Sequence, residues 1–172
     1  LDTKSVYSFM DSVVDLNSYV ARAKELGYQA LGLMDRDNLY AAYHFAQLAS
    51  RNRLRPLIGM EANLFYEGRK IPFRLLAKNN QGYKNLMKLA TELSSGQREF
   101  TAFSDYLNAI ALILPSEDWE PGMTLGSEVF IGVRPEDAGK ALDYPVIPLH
   151  TVRYFENADR STIQMLHAIS QK

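Results

Sequence analysis

The sequence predicts an α/β fold, layered or barrel-like, from three observations. Stretches with apolar residues at helical spacing alternate with short apolar runs along most of the chain. Residues 109–114 form a continuous apolar run bounded by Asn108 and Pro115, which suits a strand buried on both faces. The 172 residues are 47% hydrophobic and 23% charged, enough for one ordinary core without disulfide or metal.

In chain order, Leu16, Val20, Ala23 and Leu26 predict a first helix, with Asp15 as its cap and Gly27 as its stop. Residues 30–34 predict a buried strand. A second helix is expected over about 39–52, where Ala42, Phe45, Ala46 and Ala49 share a face and Asn38 can cap. Residues 57–60 and 62–66 are strand-like, Gly68 allows a turn, and 73–77 is a further strand. Asn79 or Asn80 caps a third helix carrying Tyr83, Leu86, Met87, Ala90 and Leu93. The polar stretch 94–104 predicts a loop ending near a short turn at 103–107. Beyond the strand at 109–114, prolines and glycines make 115–127 irregular. A strand at 129–133 follows, then a short helix from Pro135 to about 142 and a last strand at 146–149. Asp159 or Ser161 caps a closing helix with Ile163, Leu166 and Ile169 on one side. No repeat or linker divides the chain, so 1–172 is expected to be one domain.

Composition excludes several classes. With no Cys, thiolate zinc sites, iron–sulfur clusters and Cys nucleophiles are out. Lys+Arg 19 against Asp+Glu 20 leaves no overall nucleic-acid footprint, although one face can still be basic. No apolar run approaches the roughly 18 residues of a membrane span and no signal peptide opens the chain, so the expectation is a cytoplasmic protein without membrane contact. The opening Leu1, in place of an initiator Met, suggests a processed product or a piece of something longer.

In parallel α/β folds, working residues gather past the C-terminal ends of the strands. Asp35, Arg36, Asp37 and Asn38 fall at such ends, as do Glu61, Lys78, Asn79, His150, Thr151 and Arg153, with Asp2, Lys4 and Ser5 behind a truncated first strand. For each, taken singly, a solvated turn residue is a plainer account than a catalytic one. Of the three histidines, His44 and His167 lie within helices as surface or core-edge residues, and His150 alone falls at a strand end. There is no G-x-S-x-G nucleophile turn, no Walker loop and no G-x-G-x-x-G. One well-placed His cannot populate a conventional zinc or multi-metal site.

Particular motifs carry a resemblance. The opening Leu1-Asp-Thr-Lys-Ser-Val-Tyr-Ser8 is similar to the Leu-His-x-His-Ser-x-Tyr-Ser start of PHP domains, the polymerase and histidinol phosphatase family. More narrowly, the chain resembles the PHP domain at the N-terminus of bacterial DNA polymerase III α subunits of DnaE type. Support continues through Ala21-Arg-Ala-Lys-Glu-Leu-Gly27, Ala30-Leu-Gly-Leu-Met-Asp35 with Asn38-Leu39, and Arg55-Pro-Leu-Ile-Gly-Met-Glu61. It extends through Leu76-Ala-Lys-Asn79, Gly82-Tyr-Lys-Asn-Leu86 and Arg153-Tyr-Phe155, and is thin between 94 and 142. The resemblance implies a distorted seven-stranded (β/α) barrel, forming the N-terminal part of a much longer polymerase chain.

The departures decide what the resemblance implies for chemistry. Active PHP domains hold up to three metals on His, Asp, Glu and sometimes Cys for phosphoester hydrolysis. Here the opening His-x-His is Asp2-x-Lys4, the His after Asp35 is Arg36, a further His aligns with Pro72, and the late Asp-x-His is Thr151-x-Arg153. The Cys position falls near Leu114 or Pro115, leaving Asp35 and Glu61 as the matching ligands. Lysine and arginine have no lone pair for a cation. The expectation is a vestigial site with no catalytic residue, no metal and no cofactor. In it Asp2, Lys4, Asp35, Arg36, Glu61 and Arg153 would form an ion-pair network, three positives facing three negatives. The domain would then stabilise the polymerase and offer a docking surface to a proofreading exonuclease or another replisome protein, with DNA handled by the rest of the parent chain. An alternative is a metal-dependent phosphoesterase, a 3′–5′ exonuclease or pyrophosphatase, on Asp2, Asp35, Glu61 and His150. A third is a DNA-binding module using Arg51, Arg53 and Arg55, for which a solvated loop is the plainer account.

Overall fold

In a computed structural model describing residues 2–126, 128–134, 144–156 and 159–170, strands and helices alternate as expected. The order is β1 (Asp2–Thr3), α1 (Leu16–Glu25), β2 (Ala30–Arg36), α2 (Ala42–Arg51), β3 (Arg55–Tyr66), β4 (Arg69–Ala77) and α3 (Asn80–Ser94). A 3-10 helix (Phe100–Tyr106) follows, then β5 (Ile110–Pro115), β6 (Val129–Val133), β7 (Val146–Pro148), β8 (Thr151–Val152) and α4 (Asp159–Ser170).

Local chemistry explains several boundaries. Asp15 accepts from Ser18 N to cap α1, and Gly27, at φ 75°, takes the left-handed conformation that ends it. The Asn79 side chain accepts from Gln81 N and Gly82 N at the start of α3. Asn38 does not cap α2 as expected: its oxygen accepts from Tyr40 N, shaping the turn before the helix. The strands expected at 57–60 and 62–66 are one strand, β3, which runs straight through Glu61, and β4 begins at Arg69 rather than 73. Part of the stretch expected to be a loop, from Phe100, is 3-10 helix. In α4, Ile163 is buried and Ile169 exposed, so the three apolar positions do not share one covered face. The helix expected over 135–142 lies outside the described residues.

Six strands form one curled sheet in the order β2-β3-β4-β5-β6-β7, all neighbours parallel except that β4 runs antiparallel to β3 and β5. β1 pairs in parallel with β8, and only Leu149 and His150 separate β8 from β7. β1 also lies alongside β2, held by Ser5 N donating to Asp35. With β7 and β8 counted as one interrupted strand, seven strand positions surround the interior, a distorted PHP-like (β/α) barrel. Met34 on β2 packs with Ile113 on β5 and with Leu149, although β2 and β5 are not neighbours, so these side chains meet across the concave face. Larger apolar clusters lie outside it, one under α3 and the 3-10 helix around Phe73, Leu86 and Phe103, another between α1, α2 and β2 around Val20, Leu33 and Phe45.

Candidate functional site

The C-terminal ends of β1 and β2 open onto a buried charged cluster, with Lys4 at its centre. Its ammonium, fully buried, lies 2.9 Å from Asp2 Oδ1, 2.8 Å from Glu61 Oε2 and 2.7 Å from the Met34 carbonyl. Three donors therefore meet three acceptors. Glu61 comes from mid-β3, opposite Arg74 in the antiparallel register with β4. Arg74 Nε donates to Asp2 Oδ2 at 3.1 Å, Nη2 lies 3.4 Å from Glu61 Oε2, and Nη1 donates to the Pro72 carbonyl at 2.7 Å. Thr151, on β8, adds a hydroxyl hydrogen bond of 2.6 Å to Asp2 Oδ2.

A second shared carboxylate extends the cluster outward. Arg36 Nε donates to Glu61 Oε1 at 3.0 Å while Nη2 donates to Asp11 Oδ2 at 2.7 Å. Asp11 Oδ1 in turn accepts from Arg153 Nε at 2.7 Å and lies 3.0 Å from His167 Nε2 on α4. Asp2, Lys4, Glu61 and Arg36 are thus brought together directly, and Arg153 through Asp11. Asp35 departs from the expectation, since it makes no ion pair among the described residues. Its carboxylate turns to the segment after β1 and accepts from Ser5 N, Ser5 Oγ and Ser8 Oγ, each at 2.7 Å. Pro72 contributes only its carbonyl, because the register sets Arg74, not Pro72, against Glu61.

Sequence alone does not single out Arg74 or Asp11, and it reads His167 as a surface or core-edge residue, whereas the ring lies against Asp11. Arg74 had a signal, a cation inside an apolar strand. Asp11 had none, because it reaches the site from a loop in which Met10 adopts φ 61°. With Arg74 and Asp11 added and Asp35 turned away, the four cations Lys4, Arg36, Arg74 and Arg153 face three carboxylates, Asp2, Asp11 and Glu61, among the described residues. Burial disfavours the ionised Asp2 and Glu61, yet Lys4 and Arg74, joined at Glu61 by Arg36, outweigh it and hold both carboxyls below their usual range. Burial likewise opposes the Arg36 charge, and Asp11 and Glu61 more than restore it.

The other strand-end candidates lie elsewhere. Because β4 runs antiparallel, Lys78 and Asn79 sit at the opposite end of the barrel, where Lys78 pairs with Glu128 at 2.7 Å. Asp37 pairs with Arg98 at 2.7 Å, outside the cluster. His150 is exposed at the β7–β8 link. The donor set at the mouth does not fit the multi-metal centre of active PHP domains. Ammonium and guanidinium groups offer a cation no lone pair, and the oxygens of Asp2 and Glu61 are already engaged by cations or by Thr151. Among the described residues no three His, Asp or Glu side chains gather so as to hold a metal ion, and Asp2, Asp35, Glu61 and His150 do not converge. A cleft of about 1000 Å³ beside Tyr66, Phe100 and Leu125 shares no residue with the cluster. No described helix is long and apolar enough to cross a membrane.

Comparison with known proteins places this geometry. The PHP domain family model matches residues 1–121. The DNA polymerase III subunit alpha of Streptococcus pyogenes serotype M1 is 44% identical over 171 residues, covering 98% of this chain and 16% of that protein. The subunit of the same name from Bacillus subtilis is 32% identical over 123 residues, covering 68% of this chain and 11% of that protein. The chain therefore spans about a sixth of the length of the first of these relatives. In fold it is similar to an amidohydrolase from Chromobacterium violaceum, solved with bound sulfate and no metal, at TM-score 0.51, 10% identity and 96% and 95% coverage of the two chains.

Proposed function

The chain belongs to the PHP domain family, and from that premise we propose that it is a non-catalytic PHP domain of a replicative DNA polymerase III α chain. In this role the charged cluster replaces a metal centre, and the domain works by packing. It stabilises the polymerase region of a longer, cytoplasmic polypeptide that carries DNA-directed DNA polymerase activity, and offers a face to a proofreading exonuclease or another replisome protein. The observation that carries the proposal is the buried Lys4 ammonium held between Asp2 and Glu61. A charge fixed to the chain needs no supply of metal, and balanced replacement avoids the several kcal/mol that a lone buried ion costs. The relatives named polymerase III subunit alpha support the parent assignment, as does the lack, among the described residues, of three His, Asp or Glu side chains gathered so as to hold a metal ion.

The test is thermal unfolding of the purified protein with EDTA, with Mn²⁺ and with Zn²⁺, beside elemental analysis. The expected result is a melting temperature unmoved by any of the three and no stoichiometric metal. A specific metal at 100 times its dissociation constant would stabilise by about 2.7 kcal/mol, a readily measured shift. Such a shift, with bound metal, overturns the proposal in favour of a metal-dependent phosphoesterase.

A further inference from the structure

The barrel end opposite the charged cluster has a different electrostatic character. Arg51 closes α2, Arg53 sits in the following turn at φ 62°, and Arg55 opens β3. All three are exposed, and among the described residues none of their side chains makes a hydrogen bond or an ion pair. That is unusual within this chain, where every other arginine except Arg160 faces a carboxylate. Lys24 at the end of α1 reaches Asn52 at 3.3 Å, which brings a fourth cation to the same face. The nearby acid, Glu25, is turned to Arg22. Tyr28 is 58% exposed one residue from Gln29, whose carbonyl accepts from Arg55 N.

We propose that Lys24, Arg51, Arg53 and Arg55, with Tyr28, form a binding surface for single-stranded nucleic acid. The cations take successive phosphates and the exposed phenol ring offers a base a stacking platform. Uncompensated like charges on a chain of net charge -1 repel one another, and a polyanion relieves that repulsion. The solvated-loop account explains the exposure of the arginines but not why the chain's acids pair with nearly all the others. The inference goes beyond the polymerase assignment and shares no residue with the mouth cluster, so the metal experiment and the one below fail independently.

The experiment is fluorescence anisotropy of a labelled oligo-dT, of a duplex of equal length and of phosphatidylserine vesicles against the protein. Four phosphate contacts to a single strand give a log–log salt slope of about -3, roughly a 50-fold loss of affinity between 50 and 200 mM salt. The expected result is that slope for oligo-dT, its fall to about -0.7 in the Arg51→Gln, Arg53→Gln, Arg55→Gln triple variant, which keeps only Lys24, and a roughly tenfold loss in Tyr28→Ser. Circular dichroism and melting temperature establish that the variants remain folded. Binding that ignores salt, that survives the triple substitution, or that is confined to duplex or vesicles overturns the proposal.

Discussion

At Lys4 a single, fully buried nitrogen satisfies two carboxylates and a carbonyl. Replacing it by Met keeps most of the volume but leaves Asp2 and Glu61 charged, with Arg74 and Arg36 as the remaining cations. The expected cost is about 3–5 kcal/mol, measured by urea unfolding, with part recovered when Glu61→Gln is added. The same residues set the acid limb of stability. Asp2 and Glu61 titrate below their ordinary values of 3.8 and 4.5 in the folded chain, so the unfolded chain binds protons first as pH falls. Their contribution is complete above about pH 5 and drains away as pH drops through the lowered folded values. The difference in unfolding free energy between the protein and its Lys4→Met variant should therefore shrink steadily between about pH 5 and pH 3, because protonation relieves the variant while it weakens the parent. A constant difference would mean that Lys4 stabilises by packing alone.

At the scale of elements, α3 shows how closely helix and strand connections are fitted. A Cβ on Gly82 would lie 2.1 Å from the Ala109 carbonyl oxygen and 3.2 Å from Ala77 Cα, both backbone. Gly82→Ala gains about 1 kcal/mol of helix propensity, yet the obstructing atoms cannot rotate away, so a net loss of about 1–3 kcal/mol is expected in denaturant midpoint at unchanged m-value. The Asp15 and Asn79 caps, the Gly27 stop and the 109–114 strand were legible because each rests on local chemistry. The hairpin turn was legible too, with Glu67 and Gly68 at φ 51° and 78° between the paired Tyr66 and Arg69. Its consequence for the site lies in the strand register. A two-residue hairpin reverses β4, which carries Lys78 away from the mouth and brings Arg74 into it. Glu61 likewise looked like a break between two strands, because pattern alone cannot show that Lys4 and Arg36 neutralise it within one.

The whole molecule is closed by its weakest elements. β1 and β8 are two residues each, and their ladder is Asp2 with Thr151 and Thr3 with Val152, too little to hold a barrel by backbone hydrogen bonds alone. Charge supplies the rest: Asp11 joins Arg36 at the end of β2, Arg153 beyond β8 and His167 on α4, across sequence separations of up to 156 residues. Separations of that size leave no period in a sequence, which is why the charged cluster could be only half anticipated from matched positions. Asp11→Asn removes the shared anion while keeping the shape. Because Arg36 and Arg153 retain some water, the expected loss is only about 1–2 kcal/mol globally, but its distribution is the sharper readout. Amide exchange should accelerate through α4 and residues 151–153, while the amides of β3, β4 and β5 keep their protection until the molecule unfolds as a unit. Equal acceleration everywhere would show that Asp11 supports the core itself rather than the closure of the barrel.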